Sequence, residues 1–228
     1  MQLRPMHFRA RRAYRRAVVF FAIAAGLAAQ RQTPIENDQV KVIKVTDQPR
    51  VKTALHEHKL NRVMIYFVPG RQDITYQDGR KVNLEFKAGE VKWSPAGGMH
   101  VSEVVSGTPS TVVELEIKKE GDPGKAAGSS LDPVKVAPKN YKVEFENAQV
   151  RVVRVTMGPH QAVPLHEHTL NRVVVYITDQ NSRMTSPDGK TDIAQHKAGE
   201  ASWGAPAKHR EENLNDKPFE AVVIEFKS

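Results

Sequence analysis

The 228-residue chain contains no cysteine. That absence excludes disulfides and thiolate metal sites, so a bound metal has to rest on imidazole, carboxylate or water. Outside the N-terminus, no segment keeps a helical hydrophobic period for three turns, which argues against a helical architecture. Long apolar runs are almost absent too. The one extended run, Ala17 to Ala29, falls short of the about 20 residues that span a bilayer. It follows Arg4, Arg9, Arg11, Arg12, Arg15 and Arg16, with no acidic residue among them, and it ends in small residues. A basic stretch, a short apolar run and small terminal residues describe a secretory signal peptide over residues 1–29, with an uncleaved N-terminal anchor as the alternative. The pairs Arg11-Arg12 and Arg15-Arg16 lack the usual flanks of a twin-arginine signal. The expectation is a periplasmic or secreted protein whose mature form has no membrane span. The same six arginines carry most of the formal charge of +8, and without them +2 remains. No basic stripe is left, and nucleic acid is not an expected partner.

What is present is a duplication. His56-Glu57-His58 and His166-Glu167-His168 each sit inside the string Leu-His-Glu-His-x-Leu-Asn-Arg-Val, 110 positions apart. Glu36-Asn37, Val45-Thr46, Asp78-Gly79, Lys87-Ala88-Gly89-Glu90 and Trp93 all recur at the same offset, and His100 returns as His209 after a one-residue deletion. An internal repeat of this length implies two domains of roughly 90–110 residues, an ordinary domain size.

Within each copy, short β-branched runs alternate with turn signals. Val40–Val45 and Val150–Val155, Arg62–Phe67 and Arg172–Ile177, and the closing runs Val112–Ile117 and Val222–Phe226 have strand length and composition. Pro69-Gly70, Asp78-Gly79, Ala96-Gly97-Gly98 and Asp188-Gly189 mark turns between them. Such spacing predicts an all-β sandwich or barrel. The Gly/Ala/Ser-rich stretch from Glu120 to Ser130 reads as a linker.

On a strand, residues i and i+2 share a face, so His56 and His58 project together, as do His166 and His168, while Glu57 and Glu167 project away. Paired imidazoles form half of a site for Zn, Cu, Fe or Ni, and His100 and His209 supply a third from a distant strand. His7 lies in the signal. His160 and His196 have no histidine counterpart, Arg50 and Phe86 standing at the equivalent positions, and read as surface or packing residues. Trp93 and Trp203 read as packing.

These motifs resemble the cupin superfamily, and the two halves resemble a bicupin. His-x-His belongs to the first cupin motif. Gly89, Pro95-Ala96-Gly97 and His100 reproduce the second through its histidine, and the second half keeps Gly199, His209 and Asn213 with a degenerate Ala205-Pro206-Ala207 turn. The resemblance covers about positions 35–118 and 145–227. It implies two tandem double-stranded β-helix (jelly-roll) barrels: domain 1 over 30–119, a linker over 120–139 and domain 2 over 140–228, each barrel mouth lined by three histidines. Where the family's first motif carries a glutamate ligand, this chain has Arg62 and Arg172, and its leading glycine is Arg50 and His160.

The implied cofactor is a divalent transition metal (Fe, Zn, Mn, Ni or Cu) on His56, His58 and His100 and on His166, His168 and His209. Arg62 and Arg172 have two placements open to them: inward, clamping a small anionic or oxygen-rich ligand, or outward, paired with Glu57, Glu167 or another carboxylate. Three-histidine iron(II) dioxygenases within the family give one expectation of function. A non-catalytic small-molecule-binding or structural protein is the other. Glu103 and Glu212 are the nearest acid or base candidates, although alternation sets them opposite the histidines. The intact Pro-Ala-Gly turn favours the first half as the better-formed site. Paired sheet edges would make a homodimer.

Overall fold

The computed structural model describes residues 30–122, 124–125 and 128–228; the expected signal peptide and His7 lie outside them. Among the described residues no helix is long and apolar enough to cross a membrane.

The chain folds as two tandem all-β jelly rolls. The first comprises β1 (Gln30–Glu36), β2 (Val40–Asp47), β3 (His56–His58), β4 (Arg62–Tyr66), β5 (Gly70–Tyr76), β6 (Lys81–Phe86), β7 (Val91–Ser94), β8 (Gly97–Val104) and β9 (Ser110–Ile117). A short helix, α1 (Pro133–Val136), leads into β10 (Tyr141–Glu146) and β11 (Val150–Met157). The second roll continues with β12 (Ala162–His168), β13 (Arg172–Tyr176), β14 (Gln180–Thr185), β15 (Thr191–His196), β16 (Ala201–Gly204), β17 (Ala207–Asn213) and β18 (Phe219–Phe226). Barrel 1 is a sheet ordered β1-β2-β9-β4-β7 facing one ordered β3-β8-β5-β6; barrel 2 repeats this as β10-β11-β18-β13-β16 and β12-β17-β14-β15.

The five-stranded sheets are apolar on both faces, which is why their strands read as near-continuous hydrophobic runs. Ile43, Val45, Tyr66 and Val112 fill barrel 1, and Val153, Val155, Tyr176 and Val223 fill barrel 2. The alternate residues, Val40, Val42, Val63, Ile65, Val113 and Leu115, meet Val150, Val152, Val173, Val175, Val222 and Ile224 in one core between the barrels. That interface is reciprocal, as in a symmetric dimer. Asn61 Nδ2 donates to Gln149 Oε1 at 2.6 Å, and Asn171 Nδ2 donates to Gln39 Oε1 at 2.7 Å. The asparagine of the repeated Leu-Asn-Arg thus serves the interface between the barrels. Trp93 packs there, edge-on to Phe145, whereas Trp203 stacks on Phe226 and is 37% exposed.

Two local features depart from the sequence pattern. Ala96-Gly97-Gly98 reads as a turn, yet β8 begins at Gly97 and runs straight into His100. Arg50 and His160, which replace the leading motif glycines, hold φ of 63° and 52°. The left-handed backbone survives without the residue that tolerates it best, at a steric cost. The segment that reads as a linker is docked as well as connecting. The Glu167 backbone amide donates to the Leu131 carbonyl at 2.8 Å, the Ser129 hydroxyl bonds the Glu167 carboxylate, and Asp132 caps α1 through the Val134 amide.

Candidate metal centres

Each histidine triple is assembled by one strand pairing. His56 lies directly opposite His100 across β3 and β8, and His166 directly opposite His209 across β12 and β17. With the i+2 residue on the same face, three rings converge in each barrel. Their centroids are 5.0, 4.5 and 5.4 Å apart in barrel 1 and 5.3, 4.4 and 5.6 Å in barrel 2. In each triple, one ligand nitrogen per ring lies within 4.8 Å of the others.

The rings are held from behind. Nδ1 of His56, His100 and His166 faces the carbonyls of Ala54, Gly98 and Pro164 at 2.8, 2.9 and 2.9 Å. A carbonyl only accepts, so Nδ1 carries the proton and Nε2 keeps a lone pair for the centre. Nδ1 of His168 faces Glu225 Oε1 at 3.0 Å. Glu225 in turn meets Arg151, which Asp132 grips bidentately at 2.7 and 2.9 Å. Burial, followed by the charge of Arg62, depresses His58 to about 3. Burial, followed by its two neighbouring imidazoles, depresses His209 to about 2. Burial also lowers His100 and His166, and carries His168 well below its ordinary value. Neutral, oriented, convergent imidazoles are the form a divalent cation requires, so both donor sets fit a metal.

Glu57 and Glu167 turn away, to Lys59 at 3.2 Å and Lys208 at 3.3 Å. Glu103 and Glu212 also lie off the site, paired with Lys52 and Arg183. His160 pairs with Asp216 at 2.8 Å, and His196 stacks on Tyr176 with ring centroids 4.0 Å apart. Arg62 combines the two placements open to it: it points into the barrel and is paired there. Its Nη1 donates to Glu114 at 2.9 Å and its Nη2 to Ser94 at 2.8 Å, while its buried Nε has no partner among the described residues. Arg172 is inward as well, but donates to the Ala205 carbonyl at 2.6 Å. Among the described residues it has no carboxylate within ion-pair distance. Gly204 stands where barrel 1 has Ser94, and a Cβ there would sit 3.0 Å from the Arg172 guanidinium carbon.

Five groups lining the cavities were not anticipated from the histidine motifs: Asp47, Glu114, Tyr141 and Glu211, together with Arg31, which is exposed at the edge of its cavity. The same alternation that pairs His56 with His58 predicts Glu211 two residues beyond His209, and the repeat offset aligns Arg31 with Tyr141. They make the barrels unlike. Barrel 1 holds a cavity of about 120 Å³ lined by its triple together with Arg31, Asp47, Arg62 and Glu114. Barrel 2 holds one of about 150 Å³, but Tyr141 fills the Arg31 register and Met157 the Asp47 position. There Glu211 is buried against Gln180 at 2.8 Å, and His166 is fully buried.

No family model and no curated protein sequence matches the chain. Solved structures do. AerE from Microcystis aeruginosa aligns over 90% of this chain and 96% of its own, at 10% identity and a TM-score of 0.64. Oxalate decarboxylase from Bacillus subtilis, a protein with Mn(II) centres, aligns over 88% of this chain and 72% of its own, at 16% identity and a TM-score of 0.59. A cupin domain from Bordetella pertussis Tohama I, 26% identical, covers 39% of this chain and 92% of its own, with a TM-score of 0.37. The fold is that of a bicupin, with two three-histidine groups able to hold metal.

Proposed function

We propose that the chain is an exported bicupin that binds a divalent transition metal in each barrel and takes a small carboxylate or other oxygen-rich anion beside the metal in barrel 1. The basic and apolar N-terminal sequence supports export. The observation that carries the ligand is the Arg62 guanidinium in the barrel 1 cavity: 9% exposed, with a buried Nε–H that has no acceptor among the described residues. A buried donor left unmade costs roughly 1–3 kcal/mol, and an anion in the cavity would satisfy it. Arg31, lining the same cavity, adds a second cation. The space suits a ligand of a few heavy atoms; drug-sized ligands occupy pockets of roughly 300–1,000 Å³.

The metal, when bound, would supply a Lewis acid or, as iron, an oxygen-reactive centre. The chain's own residues would bind and orient the anion through Arg31 and Arg62 and exclude bulk water. Asp47 is the free carboxyl of the cavity, since Glu114 is committed to Arg62. Burial, with Glu114 nearby, raises the Asp47 pKa from its ordinary value, which favours its neutral form near the ligand. One observation favours a second reading, in which the protein binds without catalysis. Among the described residues the cavity offers one carboxyl without an ion-pair partner, and no second carboxylate is free to act beside the three imidazoles.

Iron-loaded protein presented with a panel of small acids, phenols and thiols separates the two. Saturable carboxylate binding that weakens at least tenfold in Arg31→Gln is expected. Oxygen consumption dependent on that ligand selects the dioxygenase, and binding without oxygen uptake selects the binding protein. Affinity unchanged in Arg31→Gln, or no binding of any anion, removes the carboxylate assignment.

A further inference from the structure

The two barrels differ most at one register. Residue 31 faces Val45 in the β1–β2 pair, and residue 141 faces Val155 in the corresponding β10–β11 pair. The first is arginine and the second tyrosine. Tyr141 is 2% exposed, lies beside the rings of His166 and His168, and lines the barrel 2 cavity with His168, His209 and Glu211. Its Oη sits 3.5 Å from Glu211 Oε2, to which the hydroxyl donates, and 3.3 Å from His166 Nε2.

That separation is long for an O–H···N hydrogen bond of ordinary strength. It matches instead the edge of a coordination tetrahedron: two donors bonded to one ion at about 2.0–2.1 Å stand about 3.4 Å apart. His166 Nε2 is the nitrogen left free by the Nδ1 contact to Pro164, so the phenol oxygen stands beside a metal-facing lone pair. The backbone fixes it there. The Tyr141 amide donates to the Ala137 carbonyl at 3.0 Å, at the end of α1. The docked connecting segment therefore delivers the tyrosine as well as joining the barrels.

We propose that Tyr141 is a fourth protein donor of the barrel 2 metal, making a closed His166–His168–His209–Tyr141 centre. Barrel 1, with a cation at the same register, keeps its remaining coordination positions for ligand. The assignment rests on metal binding by the barrel 2 triple. On coordination the phenol O–H bond would break, the oxygen would give its electron pair to the ion and the proton would pass to Glu211, whose Oε2 lies 3.5 Å away; no oxidation state would change. A closed four-donor site is the arrangement of structural metals, and an open three-donor site that of reactive ones. The duplication has on this view split one ancestral site into an open and a closed version.

Ferric ion supplied as its nitrilotriacetate is the probe, because phenolate bound to iron(III) gives a visible charge-transfer band and phenolate modes in resonance Raman spectra. Barrel 1 is emptied by the double change His56→Ala and His58→Ala in the full chain. One iron per chain with the band present is expected. Adding Tyr141→Phe should abolish the band while iron remains bound, and Tyr176→Phe should leave it intact. The same loss in Tyr141→Phe made without the histidine changes guards against misfolding of the double variant. Iron bound without the band, or a band that survives Tyr141→Phe, overturns the fourth donor alone. Absence of iron from barrel 2 overturns it together with the metal reading of that barrel.

Discussion

Glu114→Ala is expected to destabilise the protein by about 3–5 kcal/mol, the cost of leaving one member of a buried ion pair without its partner. Glu114 is 6% exposed and accepts from Arg62 at 2.9 Å inside barrel 1. Without it, an arginine whose Nε already lacks an acceptor among the described residues keeps a single anchor there, at Ser94. Converting the pair together, Arg62→Met with Glu114→Leu, should cost much less, since apolar isosteres of buried pairs are often neutral or stabilising. Urea unfolding of the three proteins measures this. The vacated carboxylate position also resembles the proposed ligand, so millimolar formate or acetate should raise the unfolding midpoint of Glu114→Ala more than that of the parent. A loss below about 1 kcal/mol would mean that Arg62 finds another partner, and the electrostatic description of the cavity would have to be rebuilt.

The second expectation concerns acid. Five histidines, His58, His100, His166, His168 and His209, are depressed in the folded protein, chiefly by burial. As pH falls below their unfolded value of about 6.5, the unfolded chain takes up protons that the folded chain refuses, so stability is lost. Three carboxyls act in the opposite sense. Burial raises Asp47 and Glu211, and raises Glu225 to about 7. They hold protons in the folded state while ionised in the unfolded one, and so gain stability as pH falls towards the unfolded value of about 4. Between about pH 6.5 and 4.5 the two sets act in opposite directions, and the five histidines outnumber the three carboxyls. Each net proton is worth about 1.4 kcal/mol per pH unit.

Below about pH 4.5 the carboxyls no longer compensate, and Asp132 adds to the loss. Its burial is outweighed by the Arg151 hydrogen bonds, which hold it below the usual range. Metal-free protein should therefore lose stability as pH falls from about 6.5 to 4.5 and unfold more steeply beyond it. Metal-loaded protein should hold its stability to lower pH and then lose metal and fold together. Denaturation across pH, with and without chelator, reads both. A flat profile from pH 6.5 to 4 in chelator would contradict neutral, buried imidazoles.

Much of this architecture was legible in the residues. The offset of the two Leu-His-Glu-His strings announced two domains, and runs such as Val40–Val45 and Val222–Phe226 announced strands because β-branched residues suit a pleated surface. Alternation put His56 beside His58, and the recurrence of His100 as His209 closed each triple. The inward carboxylates were harder to see. Glu114 sits amid Val113 and Leu115 in a strand buried on both faces, where a one-residue pattern does not say which face lines the cavity. Asn61 and Asn171 lie next to the arginines in the motif, yet they bind the opposite barrel, a contact that only packing defines. Tyr141 and Arg31 occupy one register, but their divergence acquires meaning only when the strand is seen to end over the histidines.

Metal content of protein purified without an affinity tag, and reloaded after chelation, tests the two three-histidine centres most directly. Two equivalents of a transition metal per chain are expected, falling to one in His56→Ala and to one in His166→Ala, each with a lower unfolding midpoint in the loaded state. No metal above background in the parent, with both substitutions leaving uptake and stability unchanged, would contradict the assignment of these six histidines as ligands.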